Sequence, residues 1–394
     1  MIPLVLLIIG AMIPAEDPDD VLENLEYVDG HLLNRRLLNL PENQWVRIYP
    51  QSFNLFQGFS LRQLFNFGSS WIRPAHAGLA FDSKRKSLLI FGSDSHGENW
   101  DNSVHEFNLH TLKWTEHYPP SPKESYRADD QGNAIAGENG LYPWAMHTYD
   151  SIAYVPEMDA LIVTSKTDHT PPPTEQAKQA TINPTWIYHL DTREWSILAQ
   201  RNSPSFFASG STYDPITFNL WAYTHGSLWQ FDVLLQQWKK IPGPHQANLT
   251  GHFTMTTDTH RHQLVFFGDY KKTNRIWTYT PGQLPEENGK WEKKQPGGDS
   301  CPEDDHFPVA YDSHQDVFLL VPDDAEKSVT LVYSPATDTY FRVAGANAPA
   351  NGMNYMMEYD PYHRLFWLIT GDWHSPLRVW AFRLNMATLI GPAH

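Results

Sequence analysis

Histidine, tyrosine and asparagine recur at one position of a pattern that runs through the whole chain. The anchors of this pattern are Phe81, Tyr154, Tyr213, Thr257, Tyr311 and Tyr359. Five positions before each anchor the sequence has His76, Tyr149, Ala208, His252, His306 and Asn354. Five of these six residues are polar and three are histidine, whose imidazole changes its charge near physiological pH and can transfer protons or bind polar groups. Their common position predicts that they form one ring.

Further side chains that could bind a ligand lie between the repeated units. They are His96, Trp100, Arg127, Tyr142, Trp144, His147, His169, Trp373 and His374. Aromatic residues beside imidazoles are typical of carbohydrate sites, because a flat ring covers the apolar face of a sugar while polar groups bind its hydroxyls. The ring and these loop residues are therefore predicted to bind a carbohydrate or another small polar ligand. Acid–base catalysis is the alternative role for His147, Tyr149, His169 and Arg127.

The elements that must position these residues are short extended segments in groups of four. Residues 76–114 contain one complete group, with β-branched and aromatic residues between turn residues. Aromatic pairs mark the two outer strands of each group: Phe107 and Trp114, Tyr188 and Trp195, Phe231 and Trp238, Tyr279 and Trp291, Tyr333 and Tyr340. The sixth aromatic, Phe382, has no partner downstream, and Trp45 near the N-terminus can supply it. Six four-stranded sheets closed in this way predict an all-β, six-bladed β-propeller over residues 44–385.

These units resemble the kelch repeat, in which an apolar second strand ends near glycine and aromatic residues stand on the third and fourth strands. The second strands here end at pairs such as Gly92-Ser93 and Gly268-Asp269 rather than at paired glycines. The resemblance implies membership of the superfamily of the galactose oxidase central domain. The copper chemistry of galactose oxidase is excluded, since Cys301 lies in a linker and no Tyr-His ligand pair stands in a matching place.

Secreted propellers that resemble oligogalacturonate and ulvan lyases provide an alternative function. Such enzymes cleave uronic-acid polymers by β-elimination, with histidine or tyrosine as base and acid and arginine to neutralise the substrate carboxylate. His147, Tyr149 and His169 with Arg127 supply these residue types around the second blade. Two further alternatives remain open: a protein-interaction scaffold without catalysis, and a ring that only satisfies backbone groups and water inside the channel.

The composition limits the partners. The formal net charge of −16 argues against nucleic acid or an anionic membrane as a partner. A single cysteine, Cys301, excludes an intrachain disulfide framework. No spacing of histidine, cysteine and carboxylates matches a strong metal motif, so no cofactor is expected, with a divalent metal as the weaker alternative. The oligomeric state is left open.

The ends of the chain suggest export. Residues 1–15 are almost continuously apolar but too short to span a bilayer as a helix, which predicts a signal peptide and a secreted or periplasmic protein. Residues 16–43 are acidic and then leucine-rich and are expected to form a tether outside the propeller, and residues 386–394 form a C-terminal tail. Two long loops, 118–146 and 167–184, should emerge on the same face of the propeller, which we therefore expect to carry the ligand site.

Overall fold

The protein is a six-bladed β-propeller in which each blade is a four-stranded antiparallel sheet. This computed structural model describes residues 23–49, 76–93, 100–165, 172–198, 203–204, 209–243, 245–247, 249, 251–268, 275–282, 289–302, 307–324, 327–346, 348–349, 356–372 and 375–390. In blades 1 to 5 the strands follow chain order from the channel outward, and in blade 6 the outermost strand comes from the N-terminal part of the chain. None of the helices in these ranges has the length and apolarity that a membrane crossing requires.

The strands of blades 1 to 3 are Gly78–Asp82, Ser87–Phe91, His105–Asn108 and Lys113–Glu116; Ile152–Val155, Ala160–Val163, Trp186–His189 and Glu194–Ile197; Gly210–Asp214, Asn219–Thr224, Ser227–Asp232 and Gln237–Lys240. Those of blades 4 to 6 are Thr254–Asp258, Gln263–Phe267, Ile276–Thr280 and Lys290–Lys293; Val309–Asp312, Val317–Leu320, Leu331–Ser334 and Thr339–Arg342; Met357–Asp360, Leu365–Asp372, Ser375–Phe382 and Trp45–Tyr49. Each innermost strand contacts the innermost strands of the two neighbouring blades, so the ring is closed.

The predicted closure by the N-terminal strand is confirmed. Trp45 pairs with Phe382 in the outer part of blade 6, and their rings lie 4.9 Å apart. The five other aromatic pairs are also direct cross-strand neighbours. Their ring centroids lie 4.8–5.4 Å apart. The same pair thus stabilises the outer edge of every blade, including the blade that joins both ends of the chain.

The turns after the innermost strands form the lower face of the propeller. In five blades an aspartate side chain accepts a hydrogen bond from the backbone N–H two residues later, at 2.8–3.0 Å; these are Asp82, Asp214, Asp258, Asp312 and Asp360. Blade 2 instead has Pro156–Met158, a short 3-10 helix. Arg85 pairs with Asp82 and with Asp159 of blade 2, and Arg261 pairs with Asp258 and with Asp316 of blade 5. Two pairs of neighbouring blades are therefore joined by ion pairs.

The leucine-rich N-terminal segment is docked onto the propeller rather than hanging from it. A hairpin of Leu25–Val28 and His31–Asn34 leads into a one-turn helix, Arg35–Leu38. Leu37 of this helix is fully buried in the core between blades 6 and 1. The guanidinium of Arg383 donates to the carbonyls of Leu37 and Leu38. The segment packs because its leucines have an apolar surface to cover.

The remaining elements are small. The helix Met386–Ile390 follows blade 6, the 3-10 helix Lys123–Ser125 lies between blades 1 and 2, and the 3-10 helix Ala177–Gln179 lies in the loop between the second and third strands of blade 2. Two-stranded pairs are formed by Arg127–Ala128 with Ala134–Ile135 and by Asp323–Asp324 with Lys327–Ser328. Gly297–Gly298 pairs in parallel with the outer strand of blade 5.

Candidate functional site

The two long loops of the upper face fold together into one unit, which we call the cap (residues 118–146 and 172–184). Thr174 Oγ1 donates to the Tyr126 carbonyl at 2.7 Å, and the backbone N–H of Ala134 donates to the Ile182 carbonyl at 2.9 Å. The cap has its own apolar core, in which Tyr126 is fully buried. It therefore forms a defined structure over blades 1 and 2.

The aromatic residues of the cap are mostly internal. Trp144 is 3% exposed and its indole N–H donates to the Ile135 carbonyl at 2.8 Å. Trp100 packs on Tyr126 with ring centroids 5.1 Å apart, and Tyr142 packs on Tyr118 at 4.8 Å. The sequence pattern predicts that Trp100, Tyr142 and Trp144 belong to the ligand site. In the structure their described contacts build the cap core, because the two loops cover each other.

Arg127 also holds the cap together. Its guanidinium donates to the carbonyls of Ser125 at 3.0 Å, Gly137 at 2.7 Å and Glu138 at 3.1 Å. Three loop carbonyls thus occupy three of the five N–H donors of Arg127, which fixes the guanidinium within the cap.

Four of the predicted ring and catalytic residues come together at the channel mouth, which is the end of the channel where the innermost strands begin. Tyr149 lies 5.0 Å from His76 and 5.3 Å from His252 between ring centroids. His147 stacks on His76 at 4.4 Å, and the Tyr149 hydroxyl lies 3.4 Å from His147 Nδ1. Tyr149 therefore bridges blades 1 and 4, which stand on opposite sides of the ring.

The backbone at the mouth is strained in the same way in three blades. His76, Tyr149 and His252 have φ angles of 69°, 46° and 53°, in the left-handed region that residues with a Cβ rarely adopt. Each such residue costs about 1–3 kcal/mol and persists only where the surrounding structure holds it. The Thr148 and Tyr149 N–H groups both donate to the His76 carbonyl, at 3.0 and 2.9 Å. The common position predicted from the sequence is thus also a common conformation.

Two carboxylates line the channel just beyond these rings, and sequence analysis missed both. Asp150 crosses blade 3 and accepts a hydrogen bond from the Met255 N–H of blade 4 at 2.6 Å. A Cβ at position 210 would lie 3.0 Å from its Oδ2, so Gly210 leaves room for the crossing. Glu358 stands on the innermost strand of blade 6 and keeps part of its surface exposed. The channel is thus acidic below its aromatic mouth.

Both carboxyl groups hold their protons more tightly than usual. Burial raises the pKa of Glu358 to about 8. Burial also raises the pKa of Asp150 well above its ordinary value, and the charge of Glu358 raises it further, against the effect of the hydrogen bond from Met255. The pKa of Asp150 is therefore coupled to the charge of Glu358.

Comparison of the six repeats would have revealed these carboxylates. Glu358 lies two positions before the last residue of its innermost strand. The residues at the same position in the other five blades are Ala80, Ala153, Thr212, Thr256 and Ala310. Asp150 directly follows Tyr149, the residue that blade 2 contributes to the predicted ring. The residues at the same position in the other five blades are Ala77, Ser209, Phe253, Phe307 and Tyr355. A single acidic residue where the other repeats have small or uncharged residues is not required by the architecture, which makes it a functional candidate.

Six predicted site residues lie outside the described residues: His96, His169, His306, Asn354, Trp373 and His374. The signal peptide predicted at residues 1–15 lies outside them as well. Within the described ranges, no group of three or more histidine, cysteine, aspartate or glutamate side chains is arranged to hold a metal ion.

Comparison with known proteins shows similarity of structure only. No protein-family model and no curated protein matches the chain. An auxiliary nutrient binding protein from Bacteroides thetaiotaomicron VPI-5482 superposes with a TM-score of 0.45 and 11% identity, over 77% of this chain and 68% of that one. A chain of a nidogen/laminin complex gives 0.42 and 14% (72% and 83% covered), and a chain of a mitotic checkpoint complex gives 0.42 and 9% (80% and 91% covered).

Proposed function

We propose that the protein binds a small hydroxyl-rich ligand, of the carbohydrate class, at the channel mouth on the cap side. The observation that carries this proposal is the meeting of the His76, Tyr149 and His252 rings at the channel mouth, next to the partly exposed Asp150.

The chemistry of the mouth suits hydroxyl groups. Imidazole and phenol groups each donate and accept hydrogen bonds, as does a protonated carboxyl. Glu358, with a pKa of about 8, is largely protonated at neutral pH.

Polysaccharide lyase activity is the second candidate, and one contact favours it. The Tyr149 hydroxyl lies 3.4 Å from His147 Nδ1, so an acid and a base for β-elimination stand side by side. The bonds of Arg127 to cap carbonyls argue against its neutralising a uronate. Binding without elimination therefore ranks first.

A glycan array followed by calorimetry tests the proposal. We expect His252→Gln to weaken binding of any glycan hit at least about tenfold, because His252 is partly exposed at the mouth. The matched control is Tyr213→Phe on the lower face, where the hydroxyl donates to Glu157 at 2.6 Å. If no glycan binds, or if both variants bind like the wild type, the site assignment is wrong and a protein-interaction scaffold becomes the better interpretation.

The lyase candidate has a separate test. Alginate, pectate, ulvan and heparan are incubated with the protein, and the ultraviolet absorbance of an unsaturated product is followed. A signal that disappears in Tyr149→Phe would establish elimination at this site. A constant absorbance with all four polymers would remove the lyase.

We also propose that the blades are of the kelch type and that the protein is exported by residues 1–15. The aromatic pairs on the outer strands support the first proposal, and the apolar N-terminus supports the second. N-terminal sequencing of the protein secreted by expressing cells should find cleavage near Ala15. A protein that stays in the cytoplasm with Met1 or Ile2 at its N-terminus would contradict export.

A further inference from the structure

Exposed apolar side chains are concentrated on the lower face, opposite the proposed ligand site. Among the residues that the structure describes, six large hydrophobic side chains are exposed: Tyr27, Leu32, Leu141, Phe218, Leu234 and Leu235. Leu141 belongs to the cap on the upper face, and the other five lie in two patches on the lower face. Exposed apolar patches mark surfaces that bind other macromolecules.

The first patch lies on two turns of blade 3, and we call it the blade 3 patch (Phe218, Leu234 and Leu235). Asn219 pairs with Asp232 across the sheet, so the turn with Phe218 and the turn with both leucines leave the blade at the same end. Leu234 is 93% exposed, so its side chain contributes almost nothing to the packing of its own blade.

The fold does not require apolar residues at these places. Phe218 directly precedes the second strand of its blade and has a φ angle of 56°. The residues at the same position in the other blades have φ angles of 47–56°, and all are polar: Lys86, Asp159, His262, Asp316 and Arg364. Leu234 and Leu235 correspond to His110-Thr111, Asp191-Thr192 and Ala336-Thr337 in blades 1, 2 and 5. Turns of the same kind therefore form without the apolar side chains of blade 3.

The second patch is formed by the N-terminal hairpin. This hairpin packs on lower-face turns of blades 1 and 6: the Leu32 carbonyl lies 2.8 Å from His110 Nε2, and the Asn34 N–H donates to His363 Nε2 at 3.1 Å. Tyr27 and Leu32 are direct cross-strand neighbours, so their side chains lie on the same side of the hairpin, and Tyr27 is 73% exposed. The docked hairpin thus adds an exposed apolar pair to the lower face.

The surroundings of the two patches carry opposite charges. Residues 23–34 of the hairpin contain no lysine or arginine but three acidic residues: Glu23, Glu26 and Asp29. Glu26 also pairs with Arg35 at 3.4 Å. Residues 233–240, which contain both leucines of the blade 3 patch, have no acidic residue but two exposed lysines, Lys239 and Lys240. Since the formal net charge of −16 makes copies of this chain repel each other, a local contact of opposite charges would direct which surfaces meet.

We propose that a second copy of this chain binds to the lower face, with the hairpin of each copy on the blade 3 patch of the other. The hairpin lies on blades 6 and 1, and blade 6 stands opposite blade 3 in the ring. A twofold axis between two stacked lower faces therefore brings both hairpins onto the opposite patches at once. The apolar pair of each hairpin covers the patch, and its acidic residues face the two lysines. The cap and the channel mouth stay accessible on the outer faces of this dimer.

Sedimentation velocity of the full chain over a range of concentrations tests the dimer. We expect the wild type to pass from a monomer to a species of twice its mass as the concentration rises. Leu234→Glu should weaken dimerisation at least about hundredfold, and Tyr27→Glu at least about tenfold, because each substitution acts in both contacts. The matched control is Leu141→Glu on the cap, which places the same charge at a leucine that is 57% exposed and should dimerise like the wild type.

An exchange of charges identifies the hairpin as the occupant of the patch. Lys239→Glu together with Lys240→Glu should weaken the dimer at least about tenfold. Adding Glu23→Lys and Glu26→Lys to the same chain should restore the dimer, since each contact then again joins opposite charges.

Three results would overturn the proposal. The first is a wild type that stays monomeric at every concentration, and the second is a dimer that persists in Leu234→Glu. The third is a dimer that Leu234→Glu disrupts while Tyr27→Glu and the exchange of charges leave it unaffected, because the blade 3 patch would then bind something other than the hairpin. These substitutions lie at exposed side chains, so urea unfolding of each variant should match that of the wild type.

Discussion

Replacing Glu358 by glutamine should stabilise the protein, and increasingly so as the pH rises. The pKa of Glu358 is raised by burial from 4.5 to about 8. Below pH 4.5 the carboxyl is protonated in both the folded and the unfolded chain, so it has no pH-dependent effect on folding there. Between these two values the unfolded chain loses the proton while the folded chain keeps it. Stability is therefore lost as the pH rises from 4.5 to about 8, and the loss is complete above the pKa of the folded chain.

The magnitude follows from the width of this window. At about 1.4 kcal/mol per pH unit, the difference between 4.5 and about 8 sets an upper value of about 5 kcal/mol. Part of the Glu358 side chain is exposed to the channel, and solvent there reduces the effect. We expect the advantage of Glu358→Gln in free energy of unfolding to grow by about 2–4 kcal/mol between pH 5 and pH 9.

Urea unfolding of both proteins at pH 5, 7 and 9 measures this effect. Glu138→Gln is the control, because Glu138 is exposed on the cap. If the wild type and Glu358→Gln lose stability in parallel over this range, Glu358 ionises normally in the folded chain. The description of the channel as a buried acidic site would then be wrong.

Three further predictions concern the closure, the lower face and the cap. Trp45→Ala should lower the free energy of unfolding by about 2–4 kcal/mol, since the ring packs on Phe382 and buries the closing strand; urea unfolding that matches the wild type would contradict closure by this pair. Arg85→Met should cost about 1–3 kcal/mol at pH 7. The bond from Arg85 holds the pKa of Asp159 below its usual range, so this cost should shrink below about pH 4, and an equal loss at pH 3 and pH 7 in thermal unfolding would refute the ion pair. Arg127→Ala should make residues 118–146 sensitive to limited proteolysis without changing the unfolding of the blades, whereas an intact cap would show that its carbonyl contacts are dispensable.

The fold could be predicted because its information is repeated in the sequence. Each aromatic pair, such as Phe107 and Trp114, marks two adjacent strands and their register, and the unpaired Phe382 identified the strand that must close the ring. One aromatic pair alone would not have distinguished this fold from other arrangements of strands. Six pairs at corresponding positions leave few architectures that hide all sheet edges.

The site was only partly predictable, because the exposure of a side chain depends on contacts between segments that are far apart in the sequence. His76, Tyr149 and His252 could be grouped by their position in the repeat, and the structure brings them together. The role of Trp144 could not be foreseen, since its burial arises when the two loops of the cap pack on each other. Whether a loop aromatic faces solvent or a neighbouring loop is not encoded in its local pattern.

The missed carboxylates show where a repeat protein carries functional information. Positions that agree among the blades are explained by architecture, as with Asp82 and its equivalents, which bind the backbone of their own turns. Glu358 breaks a series of alanine and threonine at a place where burial raises its pKa to about 8. A buried acidic group without a described counter-charge destabilises the fold as it ionises, so its presence in one blade calls for a benefit other than stability.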